Sequence, residues 1–177
     1  RASAELLFPI TAAMRRDLLL SDILRFDETT VPVQVPLGGP TRTGRLWAHL
    51  GDADHPHVVF HYTPDRSSAG LRAFLEGYRG RYAQADAYKG HDFLFMPDAI
   101  REGTILEVGC NAHARRKAYD ARSTDTATAH TVVAYYRQLY AVEHEARGRP
   151  PDERKRIREE KARPIWNRFQ EWIDRTL

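Results

Sequence analysis

The chain has 177 residues, of which 42% are hydrophobic and 29% charged. That suffices for a packed core of ordinary domain size and excludes a disordered or fibrous chain. The net charge is +3 and the pI about 9.1, a mild basic excess that permits a nucleic-acid partner without demanding one. The single cysteine, Cys110, rules out an internal disulfide and suits a reducing cytoplasm. No apolar run approaches the roughly 18–20 residues that cross a bilayer, and no signal-peptide pattern is visible. A cytoplasmic protein without a membrane partner is expected. The chain starts at Arg1 inside a helical pattern, which reads as a piece of a longer protein.

In chain order, Leu6, Leu7, Ile10, Met14 and Leu18 carry helical spacing over residues 3–20, with Pro9 as a point of kinking. Residues 23–27 read as a buried strand. Val31, Val33 and Val35 alternate with Pro32, Gln34 and Pro36, as in an extended continuation or a sheet edge. After a turn at residues 38–40, two more strands centre on Leu46-Trp47 and on Val58-Val59-Phe60. Short links between three successive strands imply an antiparallel meander. Leu71, Phe74, Leu75 and Tyr78 then predict a helix, with Ser67 or Ser68 as its cap. A strand over 82–86 follows, and entry from a helix makes it a parallel neighbour. A short helix at 91–96 leads to a fifth strand at 104–109.

The order β-β-β-α-β-α-β is that of a ribonuclease-H-like α/β fold: three antiparallel strands, then two parallel ones, with helices on both faces. Beyond residue 112 the chain turns helical. Val132, Val133, Tyr136, Leu139 and Tyr140 form an apolar stripe. Residues 152–163 mix charges of both signs, as on a solvated helix with i,i+4 pairs, and Pro164 is expected to break or restart it. Ile165, Phe169, Trp172 and Ile173 form a second apolar face that needs a partner. Trp47 and Trp172 read as core or interface residues. The expected organisation is a lead-in helix over 1–20, a ribonuclease-H-like core over 21–120 and a helical insertion over 121–177.

Five ordered motifs carry a resemblance. Residues 25–33, Arg-Phe-Asp-Glu-Thr-Thr-Val-Pro-Val, are similar to the "DET-P-V" strand of the insertion sequence sixty-six transposases. Thr43-Gly44-Arg45-Leu46-Trp47 resembles that family's second strand, and Tyr62-Thr63-Pro64-Asp65-Arg66 the segment after its third. Gln84-Ala85-Asp86-Ala87-Tyr88 resembles its "QADGY", and residues 109–117 resemble its "CWAHARRKF". Ala87, Asn111 and Ala118 depart from the usual glycine, tryptophan and aromatic residue, and no carboxylate is lost.

The resemblance implies a transposase that works with magnesium or manganese in a two-metal site. Paired ions activate the attacking oxygen and stabilise the leaving one, and hard cations take carboxylate ligands. Asp27 on the first strand and Asp86 at the end of the fourth are the implied catalytic metal ligands. On spacing alone they are ordinary acids near loops; the motifs around both single them out. Glu28 is set aside, because successive strand residues face opposite ways.

The family's third acid, a glutamate in an Asn-Asn-x-x-Glu-Arg motif, has no counterpart in this sequence. The triad is expected to be incomplete and this chain alone inactive. Glu143 reads as a helix-face acid near solvent rather than a substitute. Cys110 and His113 form the implied Cys-x-x-His signature; one cysteine argues against structural zinc. His113, Arg115, Arg116 and Lys117 are the implied DNA contacts, since clustered cations hold phosphates without reading sequence. The other reading of this cluster is a solvated helix face. His49, His55, His57, His61, His91 and His130 show no metal-ligand spacing.

The expected function is hydrolysis at transposon ends followed by strand transfer. The implied partners are end and target DNA, further protomers in a homo-oligomer and accessory proteins of the same element. A ribonuclease-H-like nuclease or resolvase without strand transfer, and a catalytically dead DNA-binding remnant, remain as alternatives.

Overall fold

A computed structural model of the chain describes residues 2–35, 38–96 and 105–176, with side chains from residue 5 onward. It divides into two compact units, Arg1–Cys110 and Asn111–Leu177.

The first unit is built on a five-stranded sheet of order β3-β2-β1-β4-β5. Its strands are β1 (Ile23–Val33), β2 (Arg42–Leu50), β3 (Val58–Thr63), β4 (Tyr82–Ala85) and β5 (Leu106–Gly109). β1, β2 and β3 pair antiparallel, and β1–β4 and β4–β5 pair parallel. This is the ribonuclease-H-like arrangement that the element order predicts. β1 runs unbroken through the alternating valines to Val33, with Pro32 opposite Thr43. Pro32 is tolerated because β4 covers β1 only at Ile23–Arg25. Among the described residues no strand pairs with that side of β1 further along, where a missing N–H costs no ladder bond.

Two helices, α1 (Ala2–Leu18) and α2 (Ser68–Leu75), complete the unit's core with the sheet. Leu18, Leu24, Phe26, Trp47, Leu71, Phe74, Leu75, Ala83 and Ala85 are buried together. Leu6, Leu7, Phe8 and Ile10 at the other end of α1 stay exposed. Ser67 does occupy the cap position of α2, but its hydroxyl makes no capping bond; instead Asp65 accepts from the Ser67 amide at 2.8 Å. α2 is shorter than its periodicity suggests because Gly77, at φ +90°, turns the chain.

Arg15 of α1 spans the end of α2, donating to the carbonyls of Phe74 (2.8 Å), Ala73 (3.1 Å) and Glu76 (3.2 Å). These are orphan acceptors of the last turn. Tyr78, now outside the helix, is buried; its hydroxyl accepts from the Leu24 amide (3.1 Å) and donates to the Tyr82 carbonyl (2.6 Å). That tie joins β1 to β4 near their starts. A 3-10 turn over Lys89–Leu94 stands where a short helix is expected. The start of the predicted fifth strand, Thr104, lies outside the described residues.

Trp47 is 1% exposed and its indole N–H donates to Thr63 Oγ1 at 2.9 Å. Trp47→Ala is expected to destabilise the fold by about 3–5 kcal/mol through reduced burial and a residual cavity. Urea unfolding followed by circular dichroism measures this; a loss under about 1 kcal/mol would contradict the packing described.

The second unit is a helical hairpin with a preceding helix. α3 (Asn111–Asp120) packs on α4 (Thr126–Ala146), although the sequence groups it with the sheet. Asp125 caps α4, accepting from the Thr128 amide at 3.1 Å. Gly148 and two prolines turn the chain into α5 (Pro151–Ile157). A π-helical turn over Arg158–Ala162 then joins α5 to α6 (Arg163–Thr176) without a break. Pro164 therefore does not end the helix. It has no N–H to return and its ring crowds the carbonyl four residues back; the wider turn just before it, with Arg163 N–H bonded to Arg158 O, relieves this.

The face of Ile165 and Phe169 finds its partner in Tyr136, Leu139, Val142 and Ala146 of α4. Tyr135 stacks on Phe169 at 4.6 Å. The α4 stripe is rotated from the expected one, and Tyr140 lies on its exposed flank.

Candidate metal centre

Parallel pairing of β1 with β4 sets Arg25 opposite Gln84. Two residues further along each chain come Asp27 and Asp86. Alternation along β1 then separates Asp27 from its neighbour Glu28. Leu24 and Phe26 point into the core, and Glu28 follows them; Asp27 points to the other face and is exposed. The Asp27 Oδ1 accepts from the Glu28 amide at 2.9 Å.

β4 pairing ends at Ala85, whose carbonyl accepts from the Cys110 amide at 3.1 Å. Released from the ladder, Asp86 turns its carboxylate towards Arg66 and His91. Arg66 Nη2 donates to Asp86 Oδ2 at 3.3 Å, and Arg66 Nε donates to Glu28 Oε1 in a very short contact. The guanidinium lies over the Tyr88 ring at 3.6 Å, a cation–π seat. His91 Nδ1 stands 3.3 Å from Asp86 Oδ1, and its ring packs edge-on to Phe26 at 5.1 Å.

Glu28, Asp86 and His91 each present a ligand atom, and these atoms lie within 4.8 Å of one another. The side chains of Glu28 and His91 are only 2% and 3% exposed. Glu28 Oε2 and both His91 nitrogens make no hydrogen bond among the described residues. Buried polar atoms without partners are costly, so this centre has spare capacity for a cation. Two carboxylates face one guanidinium there, an electrostatic bias with the same sense. Oxygen donors with one imidazole fit a divalent ion.

The pattern of the Transposase IS66 family matches residues 1–177. The chain belongs to the IS66 transposase family. It is also similar to an uncharacterized protein, y4hP, of Sinorhizobium fredii, with 25% identity over 94% of the chain and 33% of that protein. A second uncharacterized protein of the same organism, y4qI, is 31% identical over 78% of the chain and 27% of its own length. The chain thus spans about a third of the length of these curated relatives.

In this IS66-family chain Asp27 lies on β1 and Asp86 one residue past the end of the neighbouring strand β4, and their side chains have different surroundings. Glu28, Arg66 and His91 are site residues that the sequence does not single out. The same alternation that argues against Glu28 is what aims it at the Arg66 group, because Asp86 leaves the strand pattern. The buried Leu24–Phe26–Glu28 series is a readable signal for Glu28; nothing in local spacing marks His91, which a 3-10 turn carries inward.

Cys110 ends the first unit, free and half-buried, while His113 sits half-buried on α3 of the second. On that helix Arg116 and Lys117 are exposed, Arg116 lies 3.9 Å from Asp120, and the Arg115 guanidinium is 5.9 Å from the Tyr140 ring. These are loose contacts that leave the cations accessible. Glu143 is held by Arg158 in a two-pronged ion pair at 2.8 and 2.7 Å, and the Arg158 hydrogen bonds hold its carboxyl below the usual range. This pairing with a residue of the π-helical turn, both side chains about half exposed, suits an acid on the helix surface. No described helix is long and apolar enough to cross a membrane.

Proposed function

We propose that this chain is the catalytic-domain segment of a DNA transposase that cleaves phosphodiester bonds at transposon ends and joins the freed 3′-hydroxyl to target DNA. What supports this reading is the parallel β1–β4 pairing, whose last pair is Arg25–Gln84, so that Asp27 and Asp86 each follow it by two residues, in a chain matched throughout by the IS66 family. In this reading Asp27 and Asp86 would be the residues that hold divalent magnesium or manganese, with Asp86 turning from its Arg66 contact to do so. When bound, the ions neutralise developing charge on the phosphoryl group and make water acidic enough to serve as nucleophile. The carboxylates fix where that charge is met, and the surrounding sheet keeps them from following the substrate as it reacts.

Arg115, Arg116 and Lys117, with His113, bind backbone phosphates of end or target DNA and set its register without selecting sequence. Replacing the three cations by glutamine is expected to weaken DNA binding for all sequences. It also lowers the salt dependence of log K by roughly one unit for each phosphate that is no longer neutralised. Fluorescence anisotropy between low and moderate salt reads both; an unchanged slope would remove these residues from the interface.

The sequence holds no counterpart of the third acidic motif, so the catalyst in this reading is the full-length protein acting as a homo-oligomer, with accessory proteins of the element as further partners. The deciding experiment gives full-length protein a pre-nicked transposon end, target DNA and magnesium or manganese. Joined product is expected. Hydrolysis without joining would assign a nuclease or resolvase, and the absence of both products with either metal would leave a DNA-binding remnant.

A further inference from the structure

We propose that Glu28, Asp86 and His91 form a mixed nitrogen–oxygen site for a transition-metal ion of the manganese class, and that Arg66 is the resident cation the metal displaces. This deepens the transposase reading and rests on it for the expectation that a divalent ion is used at all. It adds which residues take one ion, and which ion they prefer.

Three observations converge. The ligand atoms of the three residues lie within 4.8 Å of one another. Two of the side chains are almost fully buried, Glu28 at 2% and His91 at 3% exposure. Glu28 Oε2 and both imidazole nitrogens have no hydrogen-bond partner among the described residues. A buried histidine with no hydrogen bond at either nitrogen, and only an ion-pair contact at Nδ1, has capacity for a further partner. Its Nδ1 stands 3.3 Å from Asp86 Oδ1, so an ion seated on the carboxylate is within reach of the ring.

Arg66 holds the acids together meanwhile. It bridges Glu28 and Asp86 through different nitrogens and rests on Tyr88. At 32% exposure it is the outermost member of the group, hence the one with a route to solvent. A single positive charge there leaves two carboxylates partly uncompensated; a divalent ion compensates both. Imidazole as a ligand disfavours magnesium, which prefers all-oxygen surroundings, and favours manganese and later ions.

The test titrates the 177-residue chain with Mn2+, reading free ion by electron paramagnetic resonance and bound ion by pulsed resonance for nitrogen coupling. The unmodified chain is expected to bind Mn2+ at least about tenfold more tightly than Mg2+, with a nitrogen coupling. His91→Gln removes the coupling, and His91→Gln and Glu28→Gln each weaken binding by at least about tenfold, since losing a direct ligand costs no less than losing the outer partner of one. Arg66→Met lowers the melting temperature without metal, and Mn2+ restores it, because the ion replaces the missing counter-charge. Asp27→Asn leaves the nitrogen coupling in place.

Bound Mn2+ without nitrogen coupling in the unmodified chain overturns the site even if a variant misfolds. So does His91→Gln that keeps both coupling and affinity, or an unmodified chain that binds no Mn2+. The transposase reading is judged separately, by strand transfer with Asp27→Asn in the full-length protein.

Discussion

Asp86→Asn in the full-length protein is expected to lower strand transfer on the order of a thousandfold or more, corresponding to about 4 kcal/mol less transition-state stabilisation. The substitution keeps size and shape and removes only the charge. The fold should survive it. Asp86 lies beyond the last ladder pair of β4, is 20% exposed, and leaves Arg66 its other partner, Glu28. What disappears is the carboxylate that, like Asp27, follows the last β1–β4 pair by two residues and that also borders His91, the one acid common to the Asp27 pair and the Glu28–His91 group. Single-turnover joining of a pre-nicked end measures the effect, with circular dichroism as the folding control. Asp27→Asn is expected to cause a loss of the same order. Joining within tenfold of the unmodified protein for either variant would sink the assignment of that residue.

The second large effect concerns stability against acid. His49 of β2 is fully buried, stacked on Phe74 at 3.8 Å, with Phe26 and Trp47 rings at 6.0 and 6.4 Å. Burial depresses its pKa to about 3, and the charges of His61 and Arg15 push the same way. An unfolded histidine titrates near 6.5. The folded chain therefore holds His49 neutral while the unfolded chain takes up a proton. Stability is complete above about pH 6.5 and falls as pH drops through the window from there to about 3. Each unit in that window costs about 1.4 kcal/mol, so pH 5 is expected to cost about 2 kcal/mol relative to neutrality. His61, also lowered by burial and by Arg15, adds to the fall.

Urea midpoints at pH 7 and pH 5 give the size of the effect. His49→Leu is expected to flatten the dependence, since an apolar side chain has no proton to gain and also removes two ring nitrogens that make no hydrogen bond among the described residues. A variant whose midpoint drops as far as that of the unmodified chain would show that acid acts elsewhere.

Most elements of the sheet are readable in the sequence because they depend on short-range rules. Short apolar centres at Leu46-Trp47 and Val58-Val59-Phe60 mark β2 and β3, an apolar run and then alternating valines mark β1, and entry through a helix makes β4 parallel. The boundaries shift where tertiary contacts intervene. β1 extends across its prolines because β2 pairs with it all the way. The helix after Pro151 runs through Pro164 because a π turn absorbs the proline, and packing on α4 rewards the longer helix. α3 begins one residue after β5 ends yet packs with α4, which no periodicity within α3 announces.

By itself the sequence determined the class of fold, the family and the two acidic motifs, because hydrophobic periodicity and ordered motifs are properties of contiguous residues. Only the tertiary structure decided which side chains share one environment. Asp86 leaves the strand alternation when its ladder ends, Arg66 reaches across from the bend before α2, and a 3-10 turn buries His91. Each of these positions is set by contacts between residues distant in the chain, where side-chain direction depends on the pairing of several elements at once and not on the spacing within any one.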